Sequence, residues 1–205
     1  MKGLCTPLFL VVVTACASPQ RKALRPYSGP LDSPGIYAGD FTDRQRIVAT
    51  SGAHTQSFDV IVQKRGDVLT IVGLTPFESR AFVLEQAGER IRFESFMPQK
   101  LPFPPEYVLI DIHRVLFPGV GAPGQVLGDG PHEKVEDGEI LTEDWLGGRL
   151  FARRFRRADG DPRGVITVTY GDGQPPSGEP AHEVSLVNDW YGYRLRVTTV
   201  SHQRR

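Results

Sequence analysis

The sequence predicts a mainly β domain with one buried α-helix, in which antiparallel strands close toward a barrel or a sandwich. Four short runs, rich in β-branched and aromatic residues, follow one another at intervals of roughly ten residues with glycine or proline between them. One apolar run with a helical period interrupts them, and strand patterns resume behind it. The 205 residues include 22 glycines and 17 prolines, a content that argues against an all-helical chain.

The four runs before the helix alternate as strands do when one face of their sheet is covered. In the fourth run Ile91 and Phe93 share one face, while Arg92 and Glu94 share the other. An antiparallel sheet with one dry face and one wet face is typical of this pattern. The four runs are 58–62, 68–72, 80–85 and 90–96.

The run 106–117 predicts the helix. Proline occupies its first turn, Glu106 follows, and Pro118 with Gly119 ends it. Its apolar residues follow the helical period and few polar residues interrupt them, so the helix is expected to be mostly buried. A strand stays open as an alternative because valine and isoleucine are abundant, although the run is long for a strand.

Behind the helix, 119–138 is expected to be a loop rich in glycine, proline and acids. Strand patterns resume at 148–157 and 164–170. The pair 183–187 and 193–199 predicts a hairpin with a bulged turn. In its second strand Leu195 and Val197 lie on the dry face.

The first sixteen residues resemble an export signal that ends in a bacterial lipobox. One cation precedes an apolar run too short to span a bilayer, and Val13-Thr14-Ala15-Cys16 follows it. The resemblance implies that 1–15 is a lipoprotein signal peptide, that Cys16 is acylated, and that 16–35 tethers the lipid to a domain at 36–205. Ala17 and Ser18 favour the periplasmic face of the outer membrane. An ordinary cleaved signal is the alternative.

Composition excludes several classes of function. Twenty-four basic and twenty-four acidic residues balance, which argues against a nucleic-acid binder. Cys5 would leave with the signal and Cys16 would carry lipid, so neither a disulfide nor a zinc site built on paired cysteines is expected.

No catalytic site is expected. The chain contains no Gly-x-Ser-x-Gly elbow, and no reactive cysteine would survive processing. We therefore expect no enzyme, no cofactor and no metal, and a hydrolase is disfavoured. Acidic residues after the helix favour a solvated loop over a cation site, because they lack the spacing of a calcium loop. The acids are Glu133, Glu136, Asp137 and Glu139, and His132 precedes them.

An arginine cluster allows two interpretations. Arg153, Arg154 and Arg156 would form a rim that contacts lipid phosphates or an acidic partner, where the guanidinium fork suits bidentate contact. Alternatively, their strand is a sheet edge that charge protects against pairing with other chains.

Three stretches carry a resemblance to a known family. They are 69–82, then 101–105 together with the helix end 116–118, and finally 192–199. They resemble a lipoprotein family of unknown function within the superfamily of the lipoprotein-localisation proteins LolA and LolB, over most of 40–200. The chain departs from it at Glu78, where glycine is expected, and at Phe117, where tryptophan is common.

The resemblance implies an incomplete antiparallel barrel of about 8–11 strands wrapped around the helix. Its apolar interior would hold acyl chains or the acyl groups of lipoproteins. Alternation assigns faces but cannot distinguish a cavity from a filled core, so an accessory envelope lipoprotein that acts through a protein partner stays open. The inward candidates are Phe58, Val60, Val62, Leu69, Ile71, Phe82, Leu84, Ile91, Phe93, Leu109, Ile112, Leu116, Leu195 and Val197.

Overall fold

The computed structural model describes residues 31–37, 39–98, 104–117, 119–122, 124–175 and 179–204. Over these ranges eleven strands form one antiparallel sheet, and one α-helix packs inside it. The predicted signal peptide and Cys16 lie outside the described residues.

The strands run in the sheet in the order β5-β4-β3-β2-β1-β11-β10-β9-β8-β7-β6, so β5 and β6 are its edges. The sheet is open and does not close into a barrel. The prediction of a mainly β fold with a single helix is confirmed. The elements are β1 Phe41–Ser51, β2 His54–Arg65, β3 Val68–Leu74, β4 Arg80–Ala87, β5 Arg90–Ser95, α1 Pro105–Leu116, β6 Gly130–Glu136, β7 Glu139–Leu146, β8 Arg149–Arg157, β9 Ile166–Gln174, β10 Glu183–Asn188 and β11 Tyr193–Arg204.

Two consecutive residues of α1 show that the sheet curls around the helix. His113 Nε2 lies 2.7 Å from Gln86 Oε1 on β4, and Arg114 Nη2 donates to both carboxylate oxygens of Glu139 on β7 at 2.8 Å. β4 and β7 are eight steps apart in the strand order. With about 4.8 Å per step, a flat sheet would hold them nearly 40 Å apart. Both strands can reach one helix only if the sheet bends.

The interior contains two clusters of buried residues, which meet at α1. Leu109 belongs to the first and the adjacent Ile110 to the second. The first, here the N-terminal core, consists of Tyr37, Val60, Val62, Leu69, Ile71, Leu84, Leu109 and Phe117. The second, here the C-terminal core, consists of Ile110, Leu150, Phe155, Ile166, Val168, Tyr170, Ala181, Val184 and Leu186.

Both ends of α1 agree with the sequence pattern. Pro105 stands in the first turn, where a missing N–H costs no hydrogen bond. At the other end, carbonyls that the helix leaves unpaired accept hydrogen bonds from the sheet. Arg153 Nη1 donates to Arg114 O at 2.8 Å, and the Tyr170 hydroxyl donates to Val115 O at 2.8 Å. The helix predicted for 106–117 is confirmed with a shift of one residue.

Part of the loop expected at 119–138 is a strand instead. β6 and β7 form a hairpin, and its turn residues Asp137 and Gly138 have φ values of 49° and 74°. Glu139, expected in a solvated loop, is 7 % exposed and is paired with Arg114. An Asp-Gly pair between two alternating runs is a strong hairpin signal, and it marks this turn in the sequence.

The folded domain already includes the end of the predicted tether. Leu31 packs against both cores. Gln86 Nε2 donates to Asp32 O at 2.9 Å, and Gly35 N donates to Asp67 Oδ1 at 3.0 Å. The segment 31–35 is therefore part of the packed structure and not a free linker.

Candidate functional site

All fourteen inward candidates pack in the interior, at two levels of burial. Six of them expose 2 % of their area or less: Val60, Val62, Leu69, Ile71, Leu84 and Leu109. Six more are half-buried against the same N-terminal core: Phe58, Phe82, Ile91, Phe93, Ile112 and Leu116. Leu195 and Val197 are half-buried against the C-terminal core.

Five of the half-buried residues form what we call the aromatic surface: Phe58, Phe82, Ile91, Phe93 and Ile112. They come from β2, β4, the edge strand β5 and α1. The rings of Phe82 and Phe93 are 6.1 Å apart and tilted by 38°. Phe82 lies over Gly73 so closely that a Cβ there would be 2.2 Å from its Cε1 atom. Glycine at 73 thus makes room for the ring.

A cavity of about 260 Å³, here the terminal cavity, lies at the C-terminal end of α1. Of the fourteen candidates, Leu116 contributes to its lining. Tyr37 and Phe117 stack there with ring centres 3.7 Å apart and planes 6° apart. Trp145 and Leu150 add to its apolar wall.

Charged groups also line the terminal cavity, and most are paired. Arg153 Nε donates to Glu143 Oε1 at 2.7 Å, and Trp145 Nε1 donates to Glu143 Oε2 at 3.1 Å. Asp43 Oδ1 lies 2.6 Å from His202 Nδ1. Burial raises the pKa of Asp43, although its hydrogen bond and charge interaction with His202 oppose this.

A smaller cavity of about 140 Å³ adjoins the first, and both include Tyr37, Phe117 and Arg153 in their walls. His113 and Arg114 also line it. Burial lowers the pKa of His113 to about 4, which keeps the imidazole neutral near pH 7. Among the described residues, no partner lies within hydrogen-bond distance of His113 Nδ1.

The rim predicted from the arginine cluster is not formed as a unit. Arg153 is 5 % exposed and lies inside the curl, because the register shifts between Leu150 and Ala152 and changes the face of the residues that follow. Arg154 and Arg156 pair with Asp144 and Glu133 at exposed or half-exposed positions. The alternative of an edge strand is wrong, since β8 lies between β7 and β9.

The sequence pattern missed the polar residues that face inward. The predicted run 58–62 ends before Lys64, but β2 continues to Arg65 and buries Lys64. The signal was present in the alternation, since Val60, Val62 and Lys64 occupy successive positions of one face.

The part of the chain that the structure describes contains neither a membrane-spanning helix nor a cluster of metal-ligating side chains. None of the helices in this part of the chain has the length and apolar character needed to cross a membrane. In the same residues, no three histidine, cysteine, aspartate or glutamate side chains are grouped so that they could hold a metal ion.

The chain is similar to several solved structures. A LolA superfamily protein from Nitrosomonas europaea is 14 % identical, with 84 % of this chain and 90 % of that chain covered and a TM-score of 0.44. A domain described as an outer membrane lipoprotein-sorting protein from Vibrio parahaemolyticus is 11 % identical, with 82 % of this chain and 86 % of that chain covered and a TM-score of 0.45. A DUF1329 family protein from Desulfovibrio piger is 12 % identical, with 81 % of this chain and 85 % of that chain covered and a TM-score of 0.42.

No curated protein matches the chain. Residues 42–201 match the family described as protein of unknown function, DUF3261. The resemblance of the sequence to a family of unknown function is confirmed by this match. Since the match covers well over half of the chain, this protein belongs to the DUF3261 family.

Proposed function

We propose that this protein is a non-enzymatic, lipid-anchored envelope protein that binds acyl chains on its aromatic surface and so helps to receive or move lipids or lipoproteins. The observation that carries the proposal is the incomplete burial of the inward apolar residues between α1 and the edge strand β5. In a filled core these side chains would be buried as completely as Leu69 and Leu84.

An acyl chain fits this surface energetically. Each methylene that leaves water for an apolar contact contributes about 0.8 kcal/mol, and the contact requires no particular direction. Directly after the end of β5, Phe96 and Met97 are 50 % and 43 % exposed. A ligand can therefore approach from this edge of the sheet.

The anchor completes the proposal. Acylation at Cys16 would hold the domain at the periplasmic face of the outer membrane. The partners would then be acyl chains or lipoprotein acyl groups, the membrane through the N-terminal lipid, and an envelope protein that delivers or accepts the cargo.

A second function is supported by the close packing at the middle of the interior. Val60, Ile71 and Leu109 expose 1 % of their area or less. An accessory protein whose core is filled would need such packing, and it would use the aromatic surface to contact a protein partner.

The proposal is tested on the protein purified without its anchor. One assay is titration with a fluorescent fatty acid, and the other is native mass spectrometry. We expect Phe93→Asp to weaken binding by about tenfold or more, because a carboxylate in an apolar contact costs well over 1 kcal/mol. Phe77→Asp is the matched control: Phe77 is 92 % exposed, outside the aromatic surface, and its variant should bind normally.

Circular dichroism of both variants verifies that they fold. A folded wild-type protein that binds no fatty acid in either assay would refute acyl binding and favour the accessory function.

A further inference from the structure

Lys64 is a buried cation on the wall of the terminal cavity. Its side chain is 3 % exposed, and the alternation of β2 directs it to the inner face with Val60 and Val62. Removing an ammonium group from water costs several kcal/mol unless hydrogen bonds and an opposite charge compensate. The surroundings of Lys64 should therefore supply both.

They supply only part of that compensation. Lys64 Nζ donates to Gly39 O at 3.1 Å, and its nearest carboxylate oxygen, Asp40 Oδ1, is 3.7 Å away. That oxygen already accepts a hydrogen bond from Gly66 N at 2.9 Å. An ammonium group has three N–H donors. Among the described residues, Gly39 O is the one hydrogen-bond acceptor for them.

The acids that face the terminal cavity have partners of their own. Both carboxylate oxygens of Glu143 accept hydrogen bonds, from Arg153 and from Trp145. Asp43 is bonded to His202, and burial favours its uncharged form. Lys64 therefore has N–H donors that an entering anion could use, and the anion need not displace Asp40, which stands 3.7 Å from the ammonium group.

The rest of the wall suits an apolar group. The stacked rings of Tyr37 and Phe117 lie beside Leu116, Trp145 and Leu150. The volume of about 260 Å³ is near the lower end of small-molecule sites, which span roughly 300–1,000 Å³. Such a space takes a short apolar chain and not a whole membrane lipid.

We propose that the terminal cavity binds an amphiphile with one anionic head group, a carboxylate or a phosphate, whose head lies on Lys64 and whose chain lies on the Tyr37–Phe117 stack. This site lies apart from the aromatic surface. The proposal for the terminal cavity therefore holds whether or not acyl chains bind to the aromatic surface.

Calorimetric titration of the full chain with octyl phosphate, octanoate, octanol and inorganic phosphate tests the proposal. We expect octyl phosphate and octanoate to bind at least about tenfold more tightly than octanol, because hydrogen bonds to charged groups are among the strong ones. Inorganic phosphate should bind at least about tenfold more weakly than octyl phosphate, because it lacks the chain. These comparisons use the wild-type protein alone.

The variant Lys64→Met isolates the cation and keeps the length of the side chain. Its affinity for octyl phosphate should fall about tenfold or more, while its affinity for octanol should stay the same. Arg65→Met is the matched control, since it removes one charge from the next, exposed residue on the opposite face of β2.

Three results would overturn the proposal. Octanol that binds as tightly as octyl phosphate would show that no cation takes part. Inorganic phosphate that binds as tightly as octyl phosphate would show that the apolar chain of the ligand contributes nothing to binding. A loss in Phe93→Asp as large as that in Lys64→Met would place the ligand on the aromatic surface, a result that leaves the proposed function intact.

Discussion

Gly73 of β3 lies beneath the ring of Phe82, and no larger residue fits there without moving that ring. We predict that Gly73→Ala destabilises the protein by about 1–2 kcal/mol, since its Cβ would displace the half-buried ring from contact with Phe93. Urea denaturation measures the change. Gly128→Ala is the control, because a Cβ there meets no atom within 4 Å and should change stability by less than about 0.5 kcal/mol. Equal effects of the two substitutions would contradict the packing argument.

Single residues also show how much of the site could be read from the sequence. Strand alternation places Phe82 and Phe93 in the interior, and the helical period places Leu109 there, in agreement with their packing against the N-terminal core. Alternation could not show that Phe93 stays only partly buried, because a period of two assigns a face and does not measure how completely that face is covered. Arg153 was misplaced because a bulge shifts the register of β8, and bulges leave no mark in a hydrophobic pattern.

Glu78, between β3 and β4, is a residue at which the sequence departs from the family that it resembles. The family resemblance predicts glycine at this position, and Glu78 has a φ of 59°, in the left-handed region that favours glycine. Its carboxylate accepts a hydrogen bond from Arg44 Nη2 at 2.8 Å. Glu78 therefore adopts a backbone conformation that glycine would adopt at lower cost.

At the scale of elements, α1 connects strands from both ends of the sheet through His113 and Arg114. We predict that Glu139→Gln costs about 3 kcal/mol of unfolding free energy, because it leaves the buried Arg114 cation without its carboxylate. The side chains of this pair are 4 % and 8 % exposed.

Glu133→Gln is the control for this prediction. It breaks the ion pair between Arg156 and Glu133, whose side chains are 55 % and 50 % exposed, respectively. The substitution should lower the unfolding free energy by less than about 1 kcal/mol. Chemical denaturation of both variants gives the comparison. Similar losses in the two would mean that the buried Arg114–Glu139 pair stabilises the protein no more than an exposed ion pair does.

The strands found from the sequence share one property, which is strong alternation between clear turn signals. The strands around Val60, Ile71, Leu84, Phe93 and Leu195 have it, whereas the helix is indicated by its helical period and by the prolines at its ends. β1 was missed because buried Asp43 and Gln45 interrupt its apolar face. β6 was missed because its residues are mostly exposed and polar. Only the turn residues Asp137 and Gly138 indicate its hairpin in the sequence.

At the scale of the whole molecule, His113 makes stability depend on pH. Burial lowers its pKa from 6.5 to about 4, so the unfolded chain takes up a proton at a higher pH than the folded protein does. The stabilisation is complete above pH 6.5 and is lost as the pH falls toward 4. By pH 5 the loss should reach about 2 kcal/mol, given 1.4 kcal/mol for each pKa unit.

Unfolding free energies at several pH values between 7 and 5 check this prediction. We expect His113→Gln to flatten the curve, since glutamine keeps a donor for Gln86 and does not titrate. His54→Gln should leave the curve unchanged, because His54 is exposed. A curve that keeps its full slope in His113→Gln would assign the pH dependence to other groups.

The strand order also determines which strand pairing carries the largest entropic cost of loop closure. Within the described residues, nine of the ten strand pairings join neighbours along the chain, and the tenth joins β1 to β11. Each neighbouring pair closes a short loop, whereas the tenth must bring together positions such as Ser51 and Tyr193. Two meanders can thus form locally, and one seam must unite them. Helix α1 lies across that division and holds each meander by a different residue, so the step that fixes the helix is also the step that makes one domain out of two halves.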